Sequence, residues 1–154
     1  MVLTKIFRAD TIRAVGATSR KKRLFQVLVV LANTVYALKA SDVSSALQER
    51  ESLGPTGVGQ GIALPHARMD GLDSVVGLFV RLEKPLDFDS VDRQPVDLVF
   101  ALLAPQDAGV EHLKALALVS RTMRDTGLCA KLRANADPAT LHTLLTEAPS
   151  VQAA

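Results

Sequence analysis

Tryptophan is absent, there is a single tyrosine, and aromatics make up 4% of a 154-residue chain that is 48% hydrophobic. The core must therefore be built from Leu, Val and Ala rather than from large rings. One cysteine, Cys129, excludes an intrachain disulfide and fits a reducing cytosol. Its neighbours Leu128 and Ala130 mark it as a buried thiol rather than a nucleophile. Charge of one sign is also missing. The 18 Lys and Arg nearly balance 16 Asp and Glu, leaving a formal charge of +2. That argues against nucleic acid as a partner, despite a pI near 8.9. The one basic run, Arg20-Lys21-Lys22-Arg23, is four residues long and reads as a solvated helix start. Long apolar runs are lacking too. The stretch 27–32 is far too short to cross a bilayer, so no membrane insertion is expected. Lys5, Arg8 and Asp10 interrupt any secretory apolar region. The expected location is cytoplasmic.

What is present suffices for one domain with a real core. Thr18 or Ser19 is placed to cap a first helix, in which Leu24, Leu28, Leu31 and Val35 repeat at helical spacing. A second helix is expected from Ser41 or Asp42 to about Ser52, with Gly54 just beyond and Arg50 in its last turn. A glycine-punctuated strand follows, stopping at Pro65-His66. Asp70-Gly71 reads as a turn. Residues 74–82 (SVVGLFVRL) form a strand candidate ended by Lys84-Pro85, with Gly77 as a bulge or close contact. Residues 96–103 (VDLVFALL) read as a central strand. A helix apolar nearly all round should run from about Val110 to Asp125 and stop at Gly127. A short helix over 128–134 follows, and then a last one capped by Asp137 with Pro138 at its first position. Strands in the middle and helices at both ends predict a single α/β domain over 1–148. Its mixed sheet should have five or so strands flanked by helices, with a disordered tail at 149–154.

The segment GVGQGIALPHAR (57–68) carries the chemistry. Gly57, Gly59 and Gly61 invite a nucleotide-loop reading, but the spacing rejects it. A GxGxxG loop needs glycine or alanine where Ile62 stands, and no Gly-Lys-Ser/Thr is present. A glycine strand packed tightly on a helix would explain the glycines alone. It does not explain Pro65-His66-Ala67-Arg68 directly after. A histidine among small residues and guanidinium groups suits a phosphoryl group, with Arg68, Gly59 and Gly61 as expected support.

Three histidines are present: His66, His112 and His142. His142 is expected at or near the surface, without function. His112 opens the long helix, where a structural histidine is the bland reading. The positive end of a helix would also disfavour its charged form. No HxH, HExxH or cysteine cluster supports a metal, and no nucleophile elbow supports a serine hydrolase. No cofactor is expected. A neutral imidazole is a competent nucleophile near neutral pH, which leaves His66 as a covalent phosphoryl acceptor. Phosphoryl transfer then needs in-line positioning and cations for the equatorial oxygens.

At this point the chain resembles the IIA domains of the fructose/mannitol class (type 2) of the bacterial phosphoenolpyruvate:sugar phosphotransferase system. Within that class it is most similar to the nitrogen-regulatory IIA proteins. The likeness runs through Ser19-Arg20-Lys21-Lys22-Arg23, Gln48-Glu49-Arg50-Glu51, the 57–66 segment, Pro85-Leu86-Asp87-Phe88-Asp89, residues 94–103 and His112-Leu113. It implies a mannitol-IIA-like fold. It also implies that His66 takes its phosphoryl group from HPr or the corresponding nitrogen-branch phosphocarrier. Arg50 would contact that group, and His112 would sit beside the active histidine. Ala67 and Arg68 stand where relatives carry glycine and lysine; both keep the small-then-basic pattern. Two functions follow from the resemblance. One is a regulator whose phosphorylation state controls partners such as potassium-transport or sensor-kinase components. The other is a sugar-transport IIA that hands its phosphoryl group to a IIB domain. A fold relative that binds partners and is never phosphorylated is a third, against which intact His66 and Arg50 argue.

Overall fold

The computed structural model describes residues 3–16 and 20–152, with side chains described as far as Glu147. The chain opens with a one-turn helix α1 (Leu3–Ile6), a 3-10 turn (Ala9–Thr11) and strand β1 (Ile12–Val15). Helices α2 (Lys21–Tyr36) and α3 (Ala40–Ser52) follow. Then come β2 (Gly57–Gly59), β3 (Ile62–Ala63), β4 (His66–Met69), β5 (Val76–Leu86) and β6 (Val96–Pro105). Helices α4 (Val110–Met123), α5 (Thr126–Arg133) and α6 (Pro138–Gln152) complete the chain. The Thr18 and Ser19 caps fall outside the described residues. Helix α6 continues past Pro149, where the sequence reading places the start of the tail.

The sheet is mixed, in the order β1-β5-β6-β3-β2, with β4 also on β6. Strand β6 is central because it is apolar on both faces. Leu98, Phe100, Leu102 and Ala104 enter one core, and Val99, Ala101 and Leu103 the other. The first core is closed by α1, α4, α5 and α6, the second by α2 and α3. Phe79 and Phe100 meet at 4.7 Å between ring centroids with their planes tilted by 39°, and Phe7 meets Phe100 edge-on at 6.1 Å. Each such pair is worth roughly 0.5–1.5 kcal/mol beyond its buried area. Among the described residues no helix is long and apolar enough to cross a membrane.

Four expectations are corrected. The 57–66 segment is not one strand. Gln60-Gly61 takes positive φ at both positions, 56° and 79°, and folds β2 back on β3 as a tight antiparallel hairpin. The chain then runs beside β6 as β3, skips Leu64-Pro65, and resumes as β4. His66 therefore opens a strand instead of following one. Strand β5 passes through Lys84-Pro85. Its register against β6 jumps between Arg81 and Leu86, so the proline, which has no N–H, sits where the ladder is already broken. Helix α4 is not apolar-buried all round: Val110 and Leu113 are 62% and 63% exposed. Gly127 lies in the first turn of α5, whose cap is Asp125, accepting from Leu128 N–H at 3.0 Å.

Gly77 is the close contact expected. A Cβ there would fall 2.7 Å from Phe7 and 2.8 Å from Ile6. Gly77→Ala should cost about 1–3 kcal/mol in urea unfolding, as overpacking does. An unchanged midpoint would mean that the α1 segment lifts off the sheet without penalty.

Candidate functional site

The start of β4 is fixed by backbone before any side chain is considered. Pro65 O accepts from Leu102 N–H at 2.9 Å, and His66 pairs in parallel register with Leu102. Alternation along β4 buries Ala67 and Met69 in the α2–α3 core. His66 and Arg68 are thereby left on the other face, toward α4. The buried Ala67 methyl explains why a small residue stands between them.

The His66 ring is held at both nitrogens. Nδ1 lies 2.8 Å from Leu64 O, which can only accept, so Nδ1 carries the proton. Nε2 then holds the lone pair, and Arg50 Nε–H donates to it at 3.3 Å. Arg50 reaches the ring from the last turn of α3, and its Nη1 donates to Gly54 O at 3.0 Å. The guanidinium is thus aimed by its own helix end.

His112, the third residue of α4, is 5% exposed. Its ring stands edge-on to His66, 5.7 Å between centroids. Arg68 Nε–H donates to His112 Nδ1 at 3.2 Å, which places the remaining proton on Nε2. That nitrogen is buried and has no hydrogen-bond partner. An orphaned buried donor costs about 1–3 kcal/mol, so the arrangement favours an acceptor arriving there.

Both histidines titrate below their ordinary value. For His66 burial is the largest cause, and the Arg50 charge adds to it, while the Leu64 bond and Glu51 oppose. For His112 burial leads, followed by His66 and Arg68. Both rings are therefore neutral at pH 7. They form part of the wall of an open cleft of about 570 Å³ that also takes in Arg50, Arg68 and Gln106. Asp42 and Glu49 of α3 form its acidic rim. A neutral nucleophilic nitrogen, two guanidinium groups and an unpaired N–H suit a tetrahedral dianion. Among the described residues no group of three metal-ligating side chains converges.

The structure thus brings His66, Arg50, His112 and Arg68 together. It does not bring Gly59 and Gly61, which lie outside the cleft lining. They serve the hairpin instead. A Cβ on Gly61 would come 2.5 Å from the Arg133 guanidinium, and one on Gly59 3.3 Å from Asp92. Arg133 grips Asp97 at 2.9 and 3.0 Å and donates to Gln60 O at 2.8 Å, so α5 clamps this turn. Sequence reasoning missed Gln106 and Leu53, which is 81% exposed at the cleft edge. An apolar residue directly after a helix end was the available signal for Leu53; nothing local marks Gln106.

Residues 5–148 match the family model described as phosphoenolpyruvate-dependent sugar phosphotransferase system, EIIA 2. A nitrogen regulatory protein of Bradyrhizobium diazoefficiens is 40% identical over 153 residues, covering 99% of this chain and 100% of that one. The crystal structure of nitrogen regulatory protein IIA-Ntr from Neisseria meningitidis superposes with a TM-score of 0.85 at 33% identity. It covers 94% of this chain and 99% of that one. IIA mannitol from Escherichia coli, at 17% identity, shares the fold with a TM-score of 0.75, covering 90% and 98%.

Proposed function

The chain belongs to the EIIA type-2 family of the phosphoenolpyruvate-dependent phosphotransferase system, with nitrogen-regulatory IIA proteins among its relatives, and from that premise we propose that His66 is its phosphoryl acceptor. The observation that carries the reading is the state of one ring. Leu64 O holds the proton on Nδ1, and Nε2 offers its lone pair to a cleft in which the Arg50 and Arg68 guanidinium groups flank the two rings.

The donor is the phosphohistidine of an HPr-type carrier of the nitrogen branch. The His66 Nε2 pair attacks phosphorus in line, the P–N bond to the carrier breaks, and that electron pair returns to the carrier's imidazole. The His66 ring gains positive character, which the Leu64 carbonyl stabilises at Nδ1–H. Arg50 Nε–H moves from Nε2 to a phosphoryl oxygen as the lone pair is used. Arg68 keeps His112 in the Nε2–H form, so its buried N–H serves a second oxygen. The protein ends as a phosphoramidate whose group is transferable. Domain limits of 1–148 fit this activity.

The phosphorylation state then governs binding to partner proteins, of which potassium-transport and sensor-kinase components are the candidates. Leu53, just past the end of α3, and Val110 and Leu113 of α4 are exposed apolar side chains beside the site residues and suit such docking. Incubation with phosphoenolpyruvate, Enzyme I and carrier, followed by intact-mass measurement, should show one added phosphoryl group. It should form faster with the nitrogen-branch carrier than with HPr. Equal rates, with onward transfer to a IIB domain, would favour the sugar-transport alternative.

His112 should stay unphosphorylated. At equal folded fraction, His112→Gln, which still donates, should transfer faster than His112→Ala by about three- to tenfold. If both variants lose thermal stability but the folded fraction transfers normally, the residue only packs the helix start.

A further inference from the structure

Behind Arg50 lies a polar cluster outside the contacts described so far. Lys21 Nζ, at the start of α2, sits 2.6 Å from Glu51 Oε2. The two side chains are only 22% and 10% exposed. Lys21 also donates to Phe88 O at 3.3 Å and lies 4.6 Å from the centre of the Phe88 ring. The Glu51 carboxylate accepts from Thr56 N–H at 2.9 Å and from the Thr56 hydroxyl at 2.6 Å. Thr56 is itself 4% exposed.

A buried ion pair is a poor device for stability alone, because desolvating two charges offsets their attraction. This one is worth attention for what hangs from it. Thr56 O accepts from Leu64 N–H at 2.9 Å, and Leu64 O is the group that accepts from His66 Nδ1–H. In the same connection, Gly54 O accepts from Arg50 Nη1. One carboxylate therefore secures the segment 54–56, and both partners of the His66 ring are referred to that segment.

We propose that Glu51, held by Lys21, is a positioning residue for phosphotransfer: it fixes the Leu64 carbonyl that keeps His66 in its Nδ1–H form, and with it the aim of Arg50. The inference rests on His66 being the acceptor; Glu51 itself does not touch the phosphoryl group. The choice of nitrogen is what depends on it. A free imidazole side chain carries its proton mostly on Nε2. Without a well-placed Leu64 carbonyl, the His66 lone pair would shift to Nδ1, on the side away from Arg50.

Ring ¹⁵N–¹H correlation spectra at about pH 8, where both rings are neutral, read this directly. Wild type should show His66 protonated at Nδ1. Glu51→Ala should show a mixture in which Nε2–H appears. Its phosphorylation rate at saturating carrier should fall on the order of tenfold, with the half-saturating carrier concentration unchanged. Glu51→Gln still accepts from Thr56 and should restore most of both readouts. Thr56→Val removes the hydroxyl half of that link without removing a charge, keeps the backbone N–H on Glu51, and should show a smaller mixture of the same kind, which stands in should Glu51→Ala not fold. A folded Glu51→Ala or Thr56→Val protein with His66 wholly Nδ1–H would overturn the inference, whatever its rate. If the tautomer shifts as expected while wild type accepts no phosphoryl group from the carrier, the positioning role stands and the acceptor reading falls.

Discussion

Replacing His66 with alanine should leave a folded protein that gains no mass on incubation with phosphoenolpyruvate, Enzyme I and carrier. Folding should survive because the ring is half-buried at a cleft and the strand start is pinned by Pro65 O and Leu102 N–H rather than by the side chain. Loss of uptake should be total. Among the described residues the only other imidazole in the cleft, His112, has its Nδ1 lone pair taken by Arg68 and its proton on Nε2, so neither nitrogen is free to attack phosphorus. The wild-type adduct should be acid-labile, alkali-stable and attached through Nε2, since Nδ1 is committed to Leu64 O. Its pH profile follows from the lowered titration of His66, caused mainly by burial. The neutral ring is the reactive one. A depressed value means that it persists as pH falls, so uptake should survive further into the acid range than an ordinary imidazole would allow and be lost as pH falls through the lowered value. Mass gain in His66→Ala, or an Nδ1 adduct in wild type, would refute the assignment.

The next largest effect is expected at Arg50. Its guanidinium uses two edges at once, Nε toward His66 and Nη1 toward Gly54 O. On phosphorylation the first edge should pass to a phosphoryl oxygen while the second keeps the group aimed. A charge-assisted hydrogen bond is worth about 1.5–3 kcal/mol, so Arg50→Ala should slow phosphorylation about 10- to 100-fold. Arg50→Lys keeps the charge but has no fork with which to hold Gly54 and the phosphoryl group together, and should fall between. Rates measured by rapid quench at saturating carrier separate this from weakened docking. An Arg50→Ala protein that transfers at the wild-type rate would remove Arg50 from the site.

Much of this arrangement is legible in the sequence. The apolar run at 96–103 announced a strand buried on both faces, and the periodic leucines of α2 announced its inward side. His66 stood out because a proline, an alanine and an arginine frame it. Other features left no readable trace. Strand β1 is four residues, IRAV, with an arginine in it, too short for alternation to show. Gln60-Gly61 was misread because glutamine rarely takes positive φ; Arg133 and Asp92 hold it there from 73 and 32 residues away. Gly59 and Gly61 looked like phosphate support for the same reason, since close approach to Asp92 and Arg133 leaves the same glycine signature as close approach to an anion. His112 came to the site through resemblance alone, because 44 residues separate it from Arg68, its partner.

The strands without an outer neighbour, Ile12–Val15, Gly57–Gly59 and His66–Met69, have four, three and four residues. A sheet that ends in such short strands offers another chain almost no row of free N–H and C=O groups to pair with. Growth of the sheet by strand addition between copies is thereby discouraged at both sides. Encounters are left to the cleft face, where, on the proposed function, a phosphohistidine would be met, exchanged and released. Brief contact through side chains suits that traffic, whereas an adhesive sheet margin would trap the protein in assemblies of its own.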